Sequence, residues 1–172
     1  MVDTRESALA AAELVQDAGG EIVGKTRIQK AAFFLERMGL GSGFDFYYKH
    51  FGPYSDDLAR ALHFARELGL TVEEDKKAAW GGVYTVFRSA DNVGDGLDEP
   101  RHKVLGIARN SNPVALELAA TALFLRNEGT AEPWSEVRGL KPTKATQENL
   151  KLAKKLYEEL REVEAPVELP AF

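Results

Sequence analysis

The sequence predicts a mainly α fold with a small β-hairpin, in which a winged-helix-like N-terminal half precedes a helical C-terminal half. Three segments with the apolar spacing of helices come first, between 4 and 68. Two runs rich in β-prone residues, 70–74 and 82–88, then flank a charged connection that contains Gly-Gly. After residue 98 the helical spacing returns and continues to 163. Three helices followed by a two-stranded hairpin is the order of a winged-helix domain.

The first two helices have recognisable ends. A helix over 4–18 begins after Asp3, whose carboxylate can accept hydrogen bonds from first-turn amides, and ends at two glycines. A second helix begins at Thr26 and ends at Gly39, a residue suited to a C-terminal cap. Between them, the pair Ile22-Val23 is expected to form either a very short strand or a packed loop.

The third helix is introduced by a stretch of aromatic residues and a turn. The aromatic stretch FDFYYKHF, 44–51, is expected to be extended or a short strand. It leads into Gly-Pro-Tyr-Ser at 52–55 and then into a helix over 56–68. Ser55 can cap that helix, and the two aspartates that follow it suit the positive end of the helix dipole. The second and third helices would form the helix-turn-helix of the winged-helix unit.

Residues 89–100 are expected to link a winged-helix-like domain over 1–88 to a helical subdomain over 101–172. The segment contains four acidic residues, no basic residue and two glycines, which is typical of a solvated connection. In the second unit, VALELAATALFL is apolar nearly all round a helix and is expected to be the buried centre. Helices are predicted there over 98–110, 113–127, 134–139 and 144–163.

Composition excludes several classes of function. The formal net charge of -5 disfavours broad nucleic-acid binding by phosphate neutralisation. The chain has no cysteine, which removes disulfides, thiolate metal sites and cysteine nucleophiles. The three histidines lie in different predicted elements without ligand spacing, and no phosphate loop or nucleophile elbow occurs. We therefore expect no metal, no cofactor and no enzyme activity.

The hydropathy pattern predicts a cytoplasmic protein that does not enter a membrane. No apolar run approaches the ~18 residues that span a bilayer. The first residues place acids among alanines and lack the basic start and apolar core of a signal peptide.

Basic residues concentrate around the second helix, against the acidic balance of the whole chain. Between 24 and 50 there are five lysines and arginines and two acids, and four of the basic residues, Lys25, Arg27, Lys30 and Arg37, lie on or beside the helix. One interpretation is contact with a DNA backbone. The other is a solvated face whose charges pair with neighbouring acids.

The Gly-Pro-Tyr-Ser turn also has two interpretations. A helix N-terminus with a tyrosine beside it could hold a ligand. The turn could instead be a rigid corner that caps the helix, with Tyr54 anchored on the core. Asp56 and Asp57 would repel an anion, which favours the structural interpretation. The same acids disfavour the third helix as a reader of the DNA major groove.

The residues GKTRIQKAAFFLE and YKHFGPYSDDLARALHFARELGL together resemble the uncharacterised YwgA-like proteins of prokaryotes. More remotely, they are similar to the Panacea domain, which is found in antitoxins of toxin–antitoxin pairs and in protease-adaptor-like proteins. The resemblance covers 24–88, and LELAATALFLRNEG and KPTKATQENLKLAKKL look like the family's helical second half. The tryptophan-containing motif common in the Panacea domain is present here only as Pro133-Trp134. The hallmark positions correspond to Gln29, Lys30, Gly52, Pro53, Tyr54 and Ser55.

The resemblance implies a winged-helix-like fold, no enzymatic mechanism, and binding of a protein partner such as a toxin. The predicted function is thus that of a non-catalytic regulator, antitoxin-like or adaptor-like, which binds a toxin or another regulatory protein. A winged-helix DNA-binding transcription regulator is the alternative, and a homodimer is left open. The predicted partner surface joins the basic side of the second helix to Tyr54 and the aromatic residues 46–51. The predicted partner-binding residues are Lys25, Arg27, Gln29, Lys30, Tyr48, Tyr54 and Ser55.

Overall fold

The computed structural model describes residues 3–90 and 99–172, in which the chain forms seven helices and two small antiparallel sheets. The elements are α1 (Thr4–Asp17), β1 (Glu21–Val23), α2 (Lys25–Arg37), β2 (Tyr47–Lys49), β3 (Gly52–Tyr54), α3 (Asp56–Glu67), β4 (Thr71–Lys77), β5 (Val83–Ser89), α4 (Pro100–Asn110), α5 (Pro113–Asn127), α6 (Pro133–Leu140) and α7 (Gln147–Arg161). The mainly α prediction is confirmed in outline, with more strand than the sequence indicated.

The larger sheet contains the predicted hairpin and one further strand. Strands β4 and β5 pair antiparallel from Thr71 opposite Ser89 to Lys77 opposite Val83. Strand β1 adds to the free side of β5, where Ile22 lies opposite Phe87. Both Ile22 and Phe87 are buried, so the apolar side chain of each strand fixes the register of this short pairing.

The second sheet is a two-stranded ribbon between α2 and α3. Strands β2 and β3 pair with Tyr48 opposite Pro53 and Lys49 opposite Gly52. Pro53 lies in the middle of β3, although proline is normally excluded from strand interiors. A two-stranded ribbon leaves one side of each strand unpaired, where the missing N–H of proline breaks no ladder bond.

The winged-helix layout is not confirmed. Helix α3 packs chiefly on α1, whereas α2 packs on α4 and α5. The β2–β3 ribbon separates α2 from α3, where a helix-turn-helix has a turn of about 3–4 residues. The physical reason is the composition of α2: its eight consecutive residues from Ile28 to Leu35 are all buried, so it lies inside the molecule.

One hydrophobic cluster joins residues on both sides of the predicted linker over 89–100. The linker lies mostly outside the described residues, which resume at 99. The cluster includes Phe33 and Leu35 of α2 together with Leu116 and Leu123 of α5. Helix α5 is buried over nine consecutive residues, as its all-round apolar sequence predicts. Among the described residues, no helix combines the length and the apolar character needed to cross a bilayer.

Candidate functional site

The β2–β3 ribbon with the turn that follows it, residues 47–55, presents aromatic side chains to solvent; we call it the aromatic ribbon. Tyr47 and Tyr48 are each 39% exposed and Phe51 is 59% exposed. Tyr48 lies beside the Phe124 ring, with a centroid distance of 5.9 Å. The ammonium of Lys144 lies 4.6 Å from the Phe51 ring centroid. The outer surface of the ribbon is therefore both aromatic and basic.

Gln29 of α2 fixes the end of the aromatic ribbon. Its side-chain Nε2 donates to the Ser55 carbonyl at 2.9 Å, and the Ser55 N–H donates to Gln29 Oε1 at 2.9 Å. One amide side chain thus satisfies both backbone groups of a buried residue, as a neighbouring strand would. The Ser55 Oγ accepts from the Leu58 N–H at 3.1 Å, which confirms the predicted helix cap.

Two lysines donate hydrogen bonds to backbone carbonyls of the aromatic ribbon from the protein interior. Lys30 Nζ donates to the Pro53 carbonyl at 2.7 Å, and its side chain is 1% exposed. Lys141 Nζ donates to the His50 carbonyl at 3.0 Å. Charge-assisted hydrogen bonds of this kind are stronger than neutral ones. Together with Gln29, they fix the backbone of the aromatic ribbon at three points.

A buried carboxylate on α5, that of Glu117, pairs with lysines beneath the aromatic ribbon. Lys141 Nζ lies 2.8 Å from Glu117 Oε1, and Lys144 Nζ lies 2.8 Å from Oε2. Desolvation lowers the pKa of Lys30 to about 8; the carboxylate of Glu117 opposes that shift, and the other two lysines add to it. Lys30 therefore gives up its proton more readily than usual chiefly because it is desolvated, and the excess of three ammonium groups over one carboxylate adds to the effect.

The aromatic ribbon approaches α5 closely at Gly52. Its φ angle is +85°, and a Cβ atom there would lie 2.5 Å from Thr121 Oγ1. Thr121 Oγ1 in turn donates to the Glu117 carbonyl at 2.8 Å. A side chain at position 52 would both strain the backbone and push the ribbon away from α5.

Most of the basic side chains around α2 contact their own chain. Arg27 donates through Nε to the Ser111 carbonyl at 3.1 Å and through Nη1 to the Val23 carbonyl at 3.0 Å. Arg37 lies over the Phe33 ring at 5.1 Å, and Lys30 is buried. Lys25 is exposed. This arrangement weighs against a phosphate-neutralising face on α2.

The acids at the start of α3 pair locally. Lys49 Nζ lies 3.0 Å from Asp56 Oδ1, and the Tyr47 hydroxyl donates to the other oxygen of the same carboxylate. Asp57 pairs with Arg60 one turn along the helix. These contacts are exposed and contribute little stability, but they place Lys49 over the Tyr54 ring at 4.4 Å.

The seven predicted partner-binding residues divide into two groups. Gln29, Lys30 and Ser55 are buried and act as the internal support of the aromatic ribbon. The other four reach the surface to different degrees: Lys25 and Tyr48 are exposed, and Arg27 and Tyr54 are half-buried.

Sequence reasoning missed Glu117 and Lys141 as parts of this site, whereas Phe51 lies within the aromatic residues 46–51 that the predicted surface included. A signal for Glu117 was present, because a single carboxylate in an otherwise apolar helix requires a buried cationic partner. No comparable signal identified Lys141, which lies beyond the C-terminal end of α6.

No protein-family model matches the chain, and no curated protein matches its sequence significantly. Membership of the YwgA-like or Panacea families therefore stays a prediction.

We expect the free energy of unfolding to rise with pH between about 8 and 10 because of Lys30. In that interval the unfolded chain keeps the Lys30 ammonium protonated, with an ordinary pKa of 10.5, while the folded chain releases the proton. The unfolded state binds more protons, so stability rises by at most about 1.4 kcal/mol per pH unit. Below pH 8 both states are protonated, and Lys30 contributes no slope.

Denaturant unfolding at about pH 7, 8, 9 and 10 measures this effect. The Lys30→Met variant should lose the slope, whereas Lys151→Met, at an exposed position on α7, should keep it. An equal slope in the wild type and in Lys30→Met would contradict the assignment.

Proposed function

We propose that the chain is a non-catalytic cytoplasmic regulator that binds a protein partner through the aromatic ribbon. The observation that carries the proposal is the combination of exposed aromatic side chains with a backbone fixed from inside. Tyr48 and Phe51 face solvent, while the carbonyls of His50, Pro53 and Ser55 accept hydrogen bonds from buried side chains. The buried side chains hold the ribbon backbone in one conformation, and the exposed aromatic side chains provide the contact area for a partner.

This combination suits recognition for energetic reasons. Aromatic side chains dominate the binding energy of protein interfaces when a partner desolvates them. A loop that is already ordered loses less conformational entropy on binding than a mobile one. Lys144 lies beside the Phe51 ring in a cluster of three ammonium groups and one carboxylate, so a partner with acidic groups around an apolar centre would be complementary.

The resemblance to the YwgA-like and Panacea families narrows the proposed partner to a toxin or another regulatory protein. The proposed activity is occupancy of the partner's surface, and it requires no chemical step. A DNA-binding role has weaker support, because most basic side chains around α2 contact their own chain.

We expect the double variant Tyr48→Ser/Phe51→Ser to bind its partner at least about 30-fold more weakly, since truncation of anchor residues costs about 2 kcal/mol or more. Affinity purification from the native cell, followed by quantitative mass spectrometry, would identify proteins that the wild type retains. The affinity of the purified pair would then be measured by calorimetry.

The matched control is Trp80→Ser, since Trp80 is an aromatic residue that is 79% exposed and lies on the β4–β5 connection. It should retain the same partner as the wild type. Equal retention by the ribbon variant and the control would contradict the proposal. Retention of nucleic acid in place of protein would favour the DNA-binding alternative.

A further inference from the structure

A small pocket lies between α2, α3 and the larger sheet, and it is distinct from the exposed surface of Tyr48 and Phe51. Its volume is about 280 Å³. Its lining includes Lys25 and Ile28 of α2, Leu62 of α3 and Phe87 of β5. The pocket occupies the space in which the two helices of a helix-turn-helix would contact each other.

The floor of the pocket is apolar. Ile28, Leu62 and Phe87 line it, and each is at most 5% exposed. The amide of Gln29 also lines the pocket, but both of its polar atoms are bonded to Ser55. The three apolar side chains therefore favour an apolar ligand group on the floor. The volume is slightly below the usual range of ligand pockets, so the space suits one side chain.

The mouth of the pocket is lined by polar side chains, some of which form ion pairs or hydrogen bonds with each other and some of which do not. Arg66 and Glu73 lie 3.5 Å apart and balance each other's charge, and Arg66 also contacts His63 and Glu67. Lys25 has no hydrogen-bond or ion-pair partner among residues 3–90 and 99–172, and the same holds for the Tyr54 hydroxyl. The mouth thus presents one unopposed ammonium and one free hydroxyl above an apolar floor.

We propose that this pocket binds the C-terminal residue of the partner protein, with its apolar side chain on the floor and its terminal carboxylate on Lys25. A C-terminal apolar residue carries both groups on one Cα atom, which the small pocket requires. Capture of a terminal carboxylate is an established mode of peptide recognition. A small free apolar acid has the same chemistry and is the competing source.

The inference rests on the proposed function, because it names the part of the partner that is held. Tyr54 connects the two sites: it lines the pocket and belongs to the aromatic ribbon. The pocket therefore borders the aromatic ribbon at Tyr54, where the C-terminus of a bound partner would enter.

The test uses fluorescein-labelled peptides Gly-Ser-Gly-Ser-X, where X is Leu, Ile or Phe, with a free or an amidated C-terminus. Binding to the full chain is followed by fluorescence anisotropy. At least one free-acid peptide should bind, and amidation should weaken its binding at least about tenfold, the change expected for one lost charge-assisted contact. Unlabelled 4-methylpentanoate serves as the competitor that represents a small free acid.

Two variants test the pocket directly. Lys25→Met should weaken binding of the free-acid peptide about tenfold, whereas Lys25→Arg should keep it. Ala59 of α3 also lines the pocket, and Ala59→Phe should abolish binding by filling it. Lys77→Met, at an exposed position on β4, is the control and should bind as the wild type does. Circular dichroism would confirm that each variant is folded.

Equal binding of free and amidated peptides, or no peptide binding up to about 1 mM, would overturn the inference. Binding of 4-methylpentanoate alone, with the same dependence on Lys25, would overturn the assignment to a protein C-terminus. Either of these results leaves the proposed function testable. Partner binding by Tyr48→Ser/Phe51→Ser is measured separately and does not involve the pocket.

Discussion

Replacing Glu117 with glutamine is expected to lower the free energy of unfolding by about 3–5 kcal/mol, the usual cost of breaking a buried ion pair. The carboxylate is 3% exposed and neutralises Lys141 and Lys144, each at 2.8 Å. Its loss leaves the buried Lys141 ammonium without the carboxylate it pairs with and removes the negative charge that opposes the lowered pKa of Lys30. Urea unfolding at neutral pH, monitored by circular dichroism, measures the change.

Two further variants identify the cause of this loss. Glu158→Gln breaks a pair with Arg161 on the surface and should cost no more than about 0.5 kcal/mol. The double variant Glu117→Leu/Lys141→Met removes both charges and should recover part of the lost stability. Recovery is incomplete, because the His50 carbonyl loses the donor it has in Lys141. A Glu117→Gln protein as stable as the wild type would refute the account of the buried cluster.

Replacing Gly52 with alanine is expected to cost about 3 kcal/mol, combining backbone strain with a steric clash. The φ angle of +85° lies in the left-handed region, and the new Cβ would approach Thr121 Oγ1 to 2.5 Å. Because Thr121 is on the buried helix α5, the ribbon rather than the helix must move. The same urea experiment gives the stability, and the affinity for the partner should fall as the ribbon shifts.

Gly81→Ala separates the two contributions to this effect. Gly81 has a φ angle of +92°, and no atom lies within 4 Å of the position its Cβ would take. Its replacement should cost only the strain, about 1–2 kcal/mol. The difference between the two variants is the cost of the contact with Thr121. Equal losses would mean that the close approach to α5 contributes nothing.

Local features of the fold could be predicted from the sequence, and long-range packing could not. The hairpin of β4 and β5 follows from two β-prone runs around Gly-Gly, and Ser55 caps α3 as expected. The pairing of β1 with β5 involves only three residues from each strand and links positions far apart in sequence. No local pattern distinguishes such a strand from a packed loop.

The site was harder to predict because polar residues within it are buried. Gln29 and Lys30 were predicted to contact a partner, yet both are buried. They lie inside because the acceptors that satisfy them belong to Pro53 and Ser55, more than twenty residues further along the chain. A sequence shows which groups need partners but not where those partners lie. Tyr48, by contrast, was predicted to bind a partner and is exposed.

The burial of α2 against α4 and α5 has a consequence for synthesis on the ribosome. Helix α2 leaves the exit tunnel well before α5 does, yet its apolar side chains find their neighbours on α5. Until α5 has emerged, Phe33 and Leu35 lack those neighbours, and Lys30 lacks the carboxylate of Glu117. The nascent N-terminal half therefore passes through an interval of exposed apolar surface, in which a chaperone or an early-binding partner would find it accessible.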